Sequence, residues 1–264
     1  MDLQLADKVV VVTGASKGIG LAIADAFCRS GAHVVAGSRS STPELEALHE
    51  KYGLTAVPVD LSTQEGPDTL VQVAVDQYNR VDILVNNLGT ATSRPSFLDI
   101  DDVEWQRIFN MTLFSAVRTS RAALPHLLDA GKGAIVNISS INARLPFPAV
   151  VDYSAAKAGL TSLTKSLSEE FAPRGVRVNA IAPGPVRTPF WTAPGGFADA
   201  TAAQAGTTAQ EAMDVVIPQS MGISTGRVTE AHEVADLTIF LASPVADNIT
   251  GAEFTIDGGQ VKTV

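Results

Sequence analysis

Short apolar runs alternate with segments of helical spacing along almost the whole chain. The apolar runs are rich in β-branched residues and predict strands at Val9–Thr13, His33–Ala36, Ala56–Val59, Ile83–Val85, Ala134–Ile138, Val176–Ile181 and Glu253–Ile256. The segments between them predict helices at Ile19–Ser30, Pro43–Lys51, Gly66–Tyr78, Asp102–Leu128, Tyr153–Phe171 and Glu230–Leu241. Buried strands that alternate with helices are typical of βαβ units, so we expect an α/β fold with helices on both faces of a parallel sheet. No linker divides the pattern, and residues 1–264 are therefore expected to form one domain.

One stretch, Phe190–Gly226, breaks this alternation. It is rich in Ala, Gly and Thr, with scattered large apolar residues. It can be a surface insertion or a lid over a pocket. We favour a substrate lid at residues 190–226, because the stretch follows directly on residues assigned to the cofactor site below.

Composition narrows the class of protein. The chain has 264 residues, of which 45% are hydrophobic, enough for a substantial core. Its apolar runs are too short to span a membrane, and its first residues lack the basic start of a signal peptide, so we expect a cytoplasmic protein without a membrane partner. Cys28 is the only cysteine, which excludes an intrachain disulfide and a cysteine metal cluster.

The charge excludes a further class. A net charge of −9 argues against nonspecific nucleic-acid binding, which needs clustered cations. It does not exclude one anionic cofactor held by a local site. The histidines are scattered without ligand spacing, so no metal site is predicted.

The most informative chemical feature is the pair Tyr153 and Lys157, with Ser140 thirteen residues before the tyrosine. Residues i and i+4 share a helix face, so the phenol and the ammonium point the same way. A free tyrosine has a pKa of about 10, and a nearby cation favours the phenolate. A serine hydroxyl at the same place could hold a substrate oxygen. Such a pair alone is more often part of an ordinary amphipathic helix, but the three residues together predict proton transfer to or from an alcohol or a carbonyl.

The first predicted strand runs into a glycine-rich turn, Thr13–Gly20, which leads into a helix. Glycines here let the backbone turn tightly and let a pyrophosphate approach the helix N-terminus. The spacing is GxxxGxG and not GxGxxG. Its place after the first strand of an alternating α/β chain predicts a dinucleotide site.

Several motifs, in order, resemble the short-chain dehydrogenase/reductase family in its compact single-domain branch. They run from residue 8 to residue 259 and comprise Thr13–Gly20, Asp60-Leu61, Asn86-Asn87-Leu88-Gly89, Ser139-Ser140, Tyr153–Lys157, Pro183-Gly184 and Asp257-Gly258-Gly259. The resemblance implies a doubly wound Rossmann fold with about seven parallel strands, a nicotinamide cofactor and hydride transfer. It also implies, more loosely, a homotetramer built on the long helices.

The resemblance implies a role for each catalytic residue. Tyr153 would be the acid in reduction and the base in oxidation, and Ser140 would hydrogen-bond the substrate oxygen. Lys157 would bind the nicotinamide ribose and lower the pKa of Tyr153. Ser139 should face away, because side chains alternate at a strand end.

The implied cofactor site is assembled from separate parts of the chain. The glycine turn would contribute Gly14, Ser16, Lys17, Gly18, Ile19 and Gly20. Asp60 would bond the adenine amino group, with the Leu61 backbone alongside. Asn87 and Gly89 would lie under the adenine ribose, whereas Asn86 is expected to be structural. The nicotinamide carboxamide and the phosphates would be lined by Pro183, Gly184, Val186 and Thr188.

The choice of cofactor follows from charge. The second predicted strand ends in Ala36-Gly37-Ser38-Arg39-Ser40, without the acidic residue that usually binds the ribose hydroxyls in enzymes that prefer NAD. Arg39 can pair with a 2′-phosphate, and Lys17 points into the same area. A hydrogen bond to a charged group contributes about 1.5–3 kcal/mol, so we expect NADP(H) to be favoured, with NAD(H) possible.

The chain departs from the family at two positions. The family has an asparagine that helps to organise a proton-relay water near the lysine, and Thr112 occupies that position here. Asn110 lies roughly 200° around the helix and should face elsewhere. The threonine or a freed carbonyl can keep the water in place, or else the relay is impaired. Leu88 replaces a small alanine and adds bulk near the cofactor.

The expected pocket is apolar. Its walls would be Ser140–Leu145, Phe147–Val151 and the lid residues Phe190, Trp191, Phe197 and Met213. This lining indicates a carbonyl or secondary alcohol on a hydrophobic small molecule, with Arg144 as an anion contact or an exposed cation. A 3-oxoacyl-thioester reductase is an alternative, for which Arg118 and Arg121 would be the only suggestive docking patch. A noncatalytic nucleotide-sensing protein is a second, disfavoured because Tyr153 and Lys157 are both present.

Overall fold

The computed structural model describes residues 2–263 and has a seven-stranded parallel sheet at its centre. The strands of this sheet are β1 Val9–Thr13, β2 His33–Ser38, β3 Thr55–Pro58, β4 Ile83–Asn86, β5 Gly133–Ile138, β6 Val176–Pro183 and β9 Glu253–Ile256. They lie in the order β3-β2-β1-β4-β5-β6-β9. A separate ribbon pairs β7, Val186–Arg187, with β8, Thr229–Glu230.

Helices cover both faces of the sheet. They are α1 Gly18–Arg29, α2 Pro43–Tyr52, α3 Gly66–Tyr78, α4 Asp102–Phe109, α5 Ser115–Asp129, α6 Val151–Phe171, α7 Pro189–Thr192, α8 Phe197–Ala205, α9 Ala209–Glu211, α10 Ile217–Ser220 and α11 Ala231–Ala242. Among residues 2–263, no helix is long and apolar enough to cross a membrane. The doubly wound fold predicted from the sequence is confirmed, and the predicted ends of strands and of the long helices differ from the observed ones by at most two residues.

The alternation of side chains along the strands builds one core on each face. Val10 of β1 packs with Phe27 of α1 and Leu241 of α11. The next residue, Val11, points to the other face and packs with Leu70 of α3. Because both faces are covered, every residue of β1 is buried, which explains its uninterrupted apolar run.

The strand order reverses between β1 and β4. From β1 the chain adds strands outward through β2 to β3, and from β4 it adds them outward in the opposite direction. Loops leaving two such strands diverge and open a crevice at their carboxyl ends. The loop after β1 is the glycine turn and the loop after β4 carries Asn87 and Gly89, so the fold places these two motifs side by side.

The long helix predicted over Asp102–Leu128 is interrupted by a π turn. Helix α4 leads into the turn, Asn110–Phe114, and α5 continues from it. Such turns shift the phase of a helix and are frequent at functional sites. Thr112 lies in the middle of the turn.

The segment that breaks the sequence pattern, residues 190–226, folds largely as short helices. Helices α7 to α10 pack around a small core of their own, formed by Ala198, Met213, Ile217, Ile223 and Val228. The core explains why large apolar residues are scattered through a stretch otherwise rich in Ala, Gly and Thr. We call residues 190–226 the helical insertion.

Arg187 ties the helical insertion to the body of the protein. Its guanidinium donates to Asp214 of the insertion at 2.6 Å and to Glu230 of β8 at 2.9 Å. These bonds raise the pKa of Arg187 above its ordinary value.

Cys28 lies in α1 and is buried. Burial, with a smaller effect from the charge of Asp25, raises the pKa of its thiol to about 12. The thiol is therefore protonated and unreactive at neutral pH.

Candidate active site

The glycine turn after β1 forms a cradle that side chains would fill. Gly14 and Gly18 have φ angles of +67° and +58°, in the left-handed region. A Cβ at Gly20 would lie 2.3 Å from the carbonyl oxygen of Gly14 and 2.4 Å from Asn87 Nδ2. The turn therefore needs glycine, and it leaves the amino end of α1 open to an anionic group. A pyrophosphate fits this donor set.

The loop after β4 locks the cradle in shape. The amide of Asn87 donates to the carbonyls of Thr13, at 2.9 Å, and of Gly14, at 3.1 Å. In return, the hydroxyl of Thr13 accepts the N–H groups of Asn87, at 2.9 Å, and Leu88, at 3.1 Å. The side chain of Asn87 thus shapes the turn, a role that the sequence did not indicate.

Asn86 belongs to a structural chain of amides, as expected. Its Nδ2 donates to Asn137 of β5 at 2.8 Å and to Ser120 of α5 at 3.0 Å. Asn137 in turn donates to Thr164 of α6 at 2.8 Å. This chain joins β4, β5 and α6 beneath the site.

The end of the crevice that is expected to hold the adenine carries Asp60 and Arg39. Both residues are exposed, and Leu61 beside them is buried. Hydrogen bonds from Ser62, and to a smaller extent the charge of Arg39, hold the pKa of Asp60 below its ordinary value. Arg39 therefore lies near Asp60 at the end of β2. The hydroxyl of Thr42, the N-cap residue of α2, donates to the carbonyl of Ser16 at 2.8 Å and so ties α2 to the glycine turn.

The predicted nicotinamide end closes against the glycine turn. A Cβ at Gly18 would lie 3.3 Å from the Thr188 side chain, although the two residues are far apart in sequence. Gly184 packs against the Asp257 backbone and side chain, which leaves no room for a Cβ there. The segment Pro183–Thr188 is thus held between the first and last motifs of the chain.

Ser140, Tyr153 and Lys157 converge at the carboxyl ends of β5 and β6. The ammonium of Lys157 lies 5.6 Å from the centre of the Tyr153 ring and donates to the carbonyl of Ile138 at 2.5 Å. Ser140 lies two residues after the end of β5, and its hydroxyl interacts with that of Tyr153. Ser139 faces the other way and shares a hydrogen bond of 2.8 Å with Thr161.

Burial governs the protonation of both Tyr153 and Lys157. It raises the pKa of Tyr153 to about 12, an effect that the hydrogen bond with Ser140 opposes. It lowers the pKa of Lys157 to about 7. The resemblance implies that Lys157 lowers the pKa of Tyr153; in this structure desolvation is the largest cause and raises it, since burial favours the neutral form of each group. At neutral pH, Tyr153 is therefore a proton donor.

Thr112 lies beside this pair, at the position that the sequence assigned to it. Its side chain is completely buried, and its hydroxyl has no partner among residues 2–263. A Cβ built on Gly89 would lie 3.7 Å from the Thr112 methyl group and 3.2 Å from Lys157 Nζ. Asn110 does face elsewhere, where it accepts a hydrogen bond from Arg118 at 3.0 Å.

Exposed apolar side chains come from three segments at the same edge of the sheet. They are Phe97 and Leu98 after β4, Leu145 and Phe147 after β5, and Phe190 of the helical insertion. Phe190 packs with Trp191 and Phe197 at ring separations of 6.3 and 5.3 Å. Met213, expected in the pocket wall, lies instead in the core of the insertion and is only 1% exposed.

Arg144 and Arg118, considered above as contacts for a ligand, are already bound to other groups of the chain. Arg144 forms an ion pair with Glu253 of β9 at 2.5 Å, so it is not an isolated exposed cation. Arg118 donates to the carbonyls of Ser62, at 2.9 Å, and Thr63, at 3.2 Å. The docking patch suggested by Arg118 and Arg121 thus has one arginine already engaged.

Two buried acids near the site were missed in the sequence. Asp152 is completely buried, and its Oδ1 accepts the Tyr153 N–H at 2.8 Å. The Glu253 side chain is 5% exposed. For Glu253, the only signal was a charged residue at the start of a predicted strand, and its partner could not be predicted.

Comparisons with known proteins match almost the whole chain. The family model described as Enoyl-(Acyl carrier protein) reductase matches residues 14–260. The chain is 39% identical to 3beta-hydroxysteroid dehydrogenase 1 of Eggerthella lenta, over 97% of this chain and 95% of that protein.

Two solved structures share the whole fold. L-sorbose reductase from Gluconobacter frateurii, complexed with NADPH and L-sorbose, superposes with a TM-score of 0.92 at 33% identity and covers 100% of both chains. Carveol dehydrogenase from Mycobacterium avium, in complex with NAD, superposes with a TM-score of 0.90 at 27% identity, over 98% of this chain and 99% of that one. Similarity over the full length, together with Ser140, Tyr153 and Lys157 in one site, identifies the chain as an oxidoreductase of the short-chain dehydrogenase/reductase family.

Proposed function

We propose that this enzyme interconverts a ketone and a secondary alcohol on a hydrophobic small molecule, with NADP(H) as cofactor and Tyr153 as the acid and base. The observation that carries the proposal is the convergence of Ser140, Tyr153 and Lys157 beside the glycine cradle. The cofactor, when bound, supplies or accepts the hydride.

The cofactor would be held along the whole crevice. The amino end of α1 and the glycine turn would take the pyrophosphate, Asp60 the adenine and Lys157 the nicotinamide ribose. Pro183, Gly184, Val186 and Thr188 would line the nicotinamide. Arg39 and Lys17 are both exposed, and neither forms an ion pair among residues 2–263. Two free cations at the adenosine end favour a 2′-phosphate, and therefore NADP(H).

Side chains of the protein would carry out the proton transfer. In reduction, the neutral phenol of Tyr153 donates its proton to the carbonyl oxygen while Ser140 hydrogen-bonds that oxygen. In oxidation, Tyr153 takes the proton back from the alcohol. The cationic form of Lys157 would stabilise the phenolate left after reduction. The buried hydroxyl of Thr112 would hold a water near Lys157 and return protons to it.

The mouth of the site favours an apolar substrate. Leu145 is 49% exposed, Phe147 54% and Phe190 42%, so a ring system could cover apolar surface that now meets water. Of the relatives above, the hydroxysteroid and carveol dehydrogenases are named for alcohols on hydrophobic rings, whereas sorbose is a sugar. The apolar mouth supports a substrate of the first kind, an alcohol or ketone on a hydrophobic ring. An acyl-carrier substrate is less well supported, because Arg118 is engaged within the chain.

The cofactor proposal is tested by titrating the protein with NADPH and NADH while following nicotinamide fluorescence. We expect tight NADPH binding, and at least a tenfold loss in Arg39→Ala that spares NADH. Arg29→Ala, at the far end of α1, is the control and should bind both cofactors as wild type does. Equal or tighter NADH binding by the wild type would contradict the NADP(H) proposal.

The reaction is tested by screening hydrophobic cyclic ketones and alcohols on wild type and Tyr153→Phe. Turnover by the wild type that falls at least ~100-fold in Tyr153→Phe, with unchanged NADPH affinity, is the expected result. If the wild type turned over sugars or acyl thioesters in preference, the proposed substrate class would be wrong.

A further inference from the structure

We propose that the Arg144–Glu253 ion pair is a positioning device for the catalytic serine and for the wall of the pocket. The wall is formed by residues 141–150, which we call the substrate loop; it joins Ser140 to helix α6. The inference deepens the proposed function and rests on it for its kinetic part.

The substrate loop is buried at its two ends, through Ile141 and Val150, but its middle makes few backbone hydrogen bonds to the rest of the protein. Its backbone bonds are mostly local, such as Arg144 N–H to Ile141 at 2.9 Å and Val150 N–H to Phe147 at 3.0 Å. One backbone bond comes from outside, from Arg94 N–H to Ala149 at 2.8 Å. The loop also exposes Leu145 and Phe147. A segment with local bonds and an exposed apolar surface needs a further anchor to keep one conformation.

Arg144 supplies that anchor. Its Nε lies 2.5 Å from Glu253 Oε2, and the Glu253 side chain is 5% exposed, compared with 49% for Arg144. Glu253 Oε2 accepts no aligned hydrogen bond among residues 2–263, so the contact is one of charge. Removal of the Arg144 guanidinium would leave the buried Glu253 carboxylate without a countercharge, which is costly.

Glu253 carries the anchor to the catalytic helix. Its other oxygen accepts the hydroxyl of Thr161 at 3.0 Å. Because Thr161 donates to Glu253, Ser139 donates to Thr161 at 2.8 Å, and the carbonyl of Lys157 lies 3.4 Å from the Ser139 hydroxyl oxygen. One carboxylate thus connects the last strand, the helix that carries Tyr153 and Lys157, and the loop that follows Ser140.

The consequence for the reaction concerns Ser140. Its hydroxyl is oriented by the N–H of Asn142 at 3.2 Å, and Asn142 belongs to the same 3-10 turn that ends at Arg144. When Arg144 is released, the turn can shift and take the Ser140 hydroxyl out of line with Tyr153. Misplacement by about 1 Å can cost on the order of 100-fold in rate. The cofactor cradle lies elsewhere and should be unaffected.

The first test is hydrogen exchange, which needs no substrate. In Arg144→Ala, amides of residues 140–150 should exchange at least ~10-fold faster than in wild type, whereas the glycine turn should not change. Arg29→Ala removes an arginine of similar exposure, 54%, whose ion pair with Asp25 is 2.9 Å long and remote from the loop, so exchange at residues 140–150 should stay as in wild type. Unchanged exchange in Arg144→Ala would overturn the inference, whether or not the enzyme is active.

The second test is kinetic and uses the hydrophobic ketone that the wild type reduces best. Arg144→Ala should lower kcat at least ~10-fold with NADPH affinity unchanged, and Arg144→Lys should recover most of the loss. Glu253→Gln removes the charge but keeps an acceptor for Thr161, so it should fold and show a similar loss of kcat. Combining it with Arg144→Ala should add little.

The two proposals fail in different ways. A wild type that turns over no ketone or alcohol contradicts the proposed function. In that case hydrogen exchange alone tests whether Arg144 anchors the substrate loop. An active wild type whose Arg144→Ala variant keeps its kcat, or loses kcat and NADPH affinity together, overturns the positioning role.

Discussion

The cofactor cradle and the substrate side of the site are built in opposite ways. The cradle consists of backbone packed so closely that a Cβ at Gly20 would lie 2.3 Å from a carbonyl oxygen. The substrate side consists of side chains, with Phe147 and Phe190 about half exposed and a helical insertion that packs on its own core. A backbone cradle fits one class of ligand and tolerates little change. A wall of side chains can be altered without disturbing the fold, so specificity can vary there while the cofactor stays the same.

The largest effect should come where the two regions meet, at Lys157. Lys157→Met should abolish turnover and yet stabilise the protein. The pKa of Lys157 falls from 10.5 to about 7 on burial, which corresponds to roughly 5 kcal/mol. Loss of the hydrogen bond to Ile138 offsets about 1–2 kcal/mol of the gain.

The sign of this effect can be checked against pH. Because of Lys157, the folded state binds fewer protons than the unfolded state between pH 7 and 10.5. Burial of Lys157 therefore destabilises the wild type most at pH 7 and below, and this destabilisation decreases as the pH rises towards 10.5. The melting temperature of Lys157→Met should therefore exceed that of wild type most at pH 7. Lys165→Met, on the exposed side of the same helix, should show no such gap. A destabilised Lys157→Met variant at pH 7 would contradict the assigned desolvation.

The second effect tests the rigidity of the cradle. Gly20→Ala should weaken NADPH binding by at least ~100-fold, because the new Cβ would collide with Gly14 and Asn87. Gly53→Ala is the control: it meets nothing within 4 Å and carries only the strain of its φ angle of +73°. Fluorescence titration measures the affinity, and calorimetry shows whether the variants remain folded. Near-normal binding by a folded Gly20→Ala would mean that the cradle is more adaptable than its contacts suggest.

The third effect tests the tolerance of the substrate side. Phe190→Ala should raise KM for a hydrophobic substrate about tenfold, with NADPH affinity unchanged, because the apolar contact is lost from the bound state. Val245→Ala removes a side chain of similar exposure, 41%, away from the mouth, and should leave KM as it is. A fall in kcat without a change in KM would place Phe190 in the chemistry and not in the wall.

The smallest effect concerns the buried hydroxyl of Thr112. Thr112→Val keeps the shape and should lower turnover several-fold, because it removes the hydroxyl that would hold the relay water. Thr119→Val is the control, since it removes a buried hydroxyl that donates to Ser115 at 2.8 Å, and it should leave turnover unchanged. Thr112→Asn completes the set, since a large rise in its turnover would mean that the native proton relay is impaired.

The backbone cradle could be predicted from the sequence, whereas most of the substrate side could not. The strands, the order of motifs and the cradle could be predicted from local patterns, because glycine positions and apolar runs depend on the conformation of the backbone at the same residues. The helical insertion could not be predicted as helices, since its small residues favour no single structure and its core depends on Met213 and Ile217 meeting Val228. The π turn at Asn110–Phe114 and the pairing of Arg144 with Glu253 depend on contacts between distant segments.

The protonation of the site was also beyond the sequence. A tyrosine and a lysine four residues apart indicate attraction, but their burial depends on the whole fold. Desolvation, and not their mutual charge, sets the pKa of Tyr153 at about 12.

The single buried thiol gives the protein a practical property. Because Cys28 of α1 is protonated and buried, reagents that attack thiolates should not modify it at neutral pH. A cysteine placed at an exposed position of the helical insertion would then be the one that reacts. A spin label or fluorophore attached there would report whether the insertion moves during turnover, in a chain otherwise left in its native sequence.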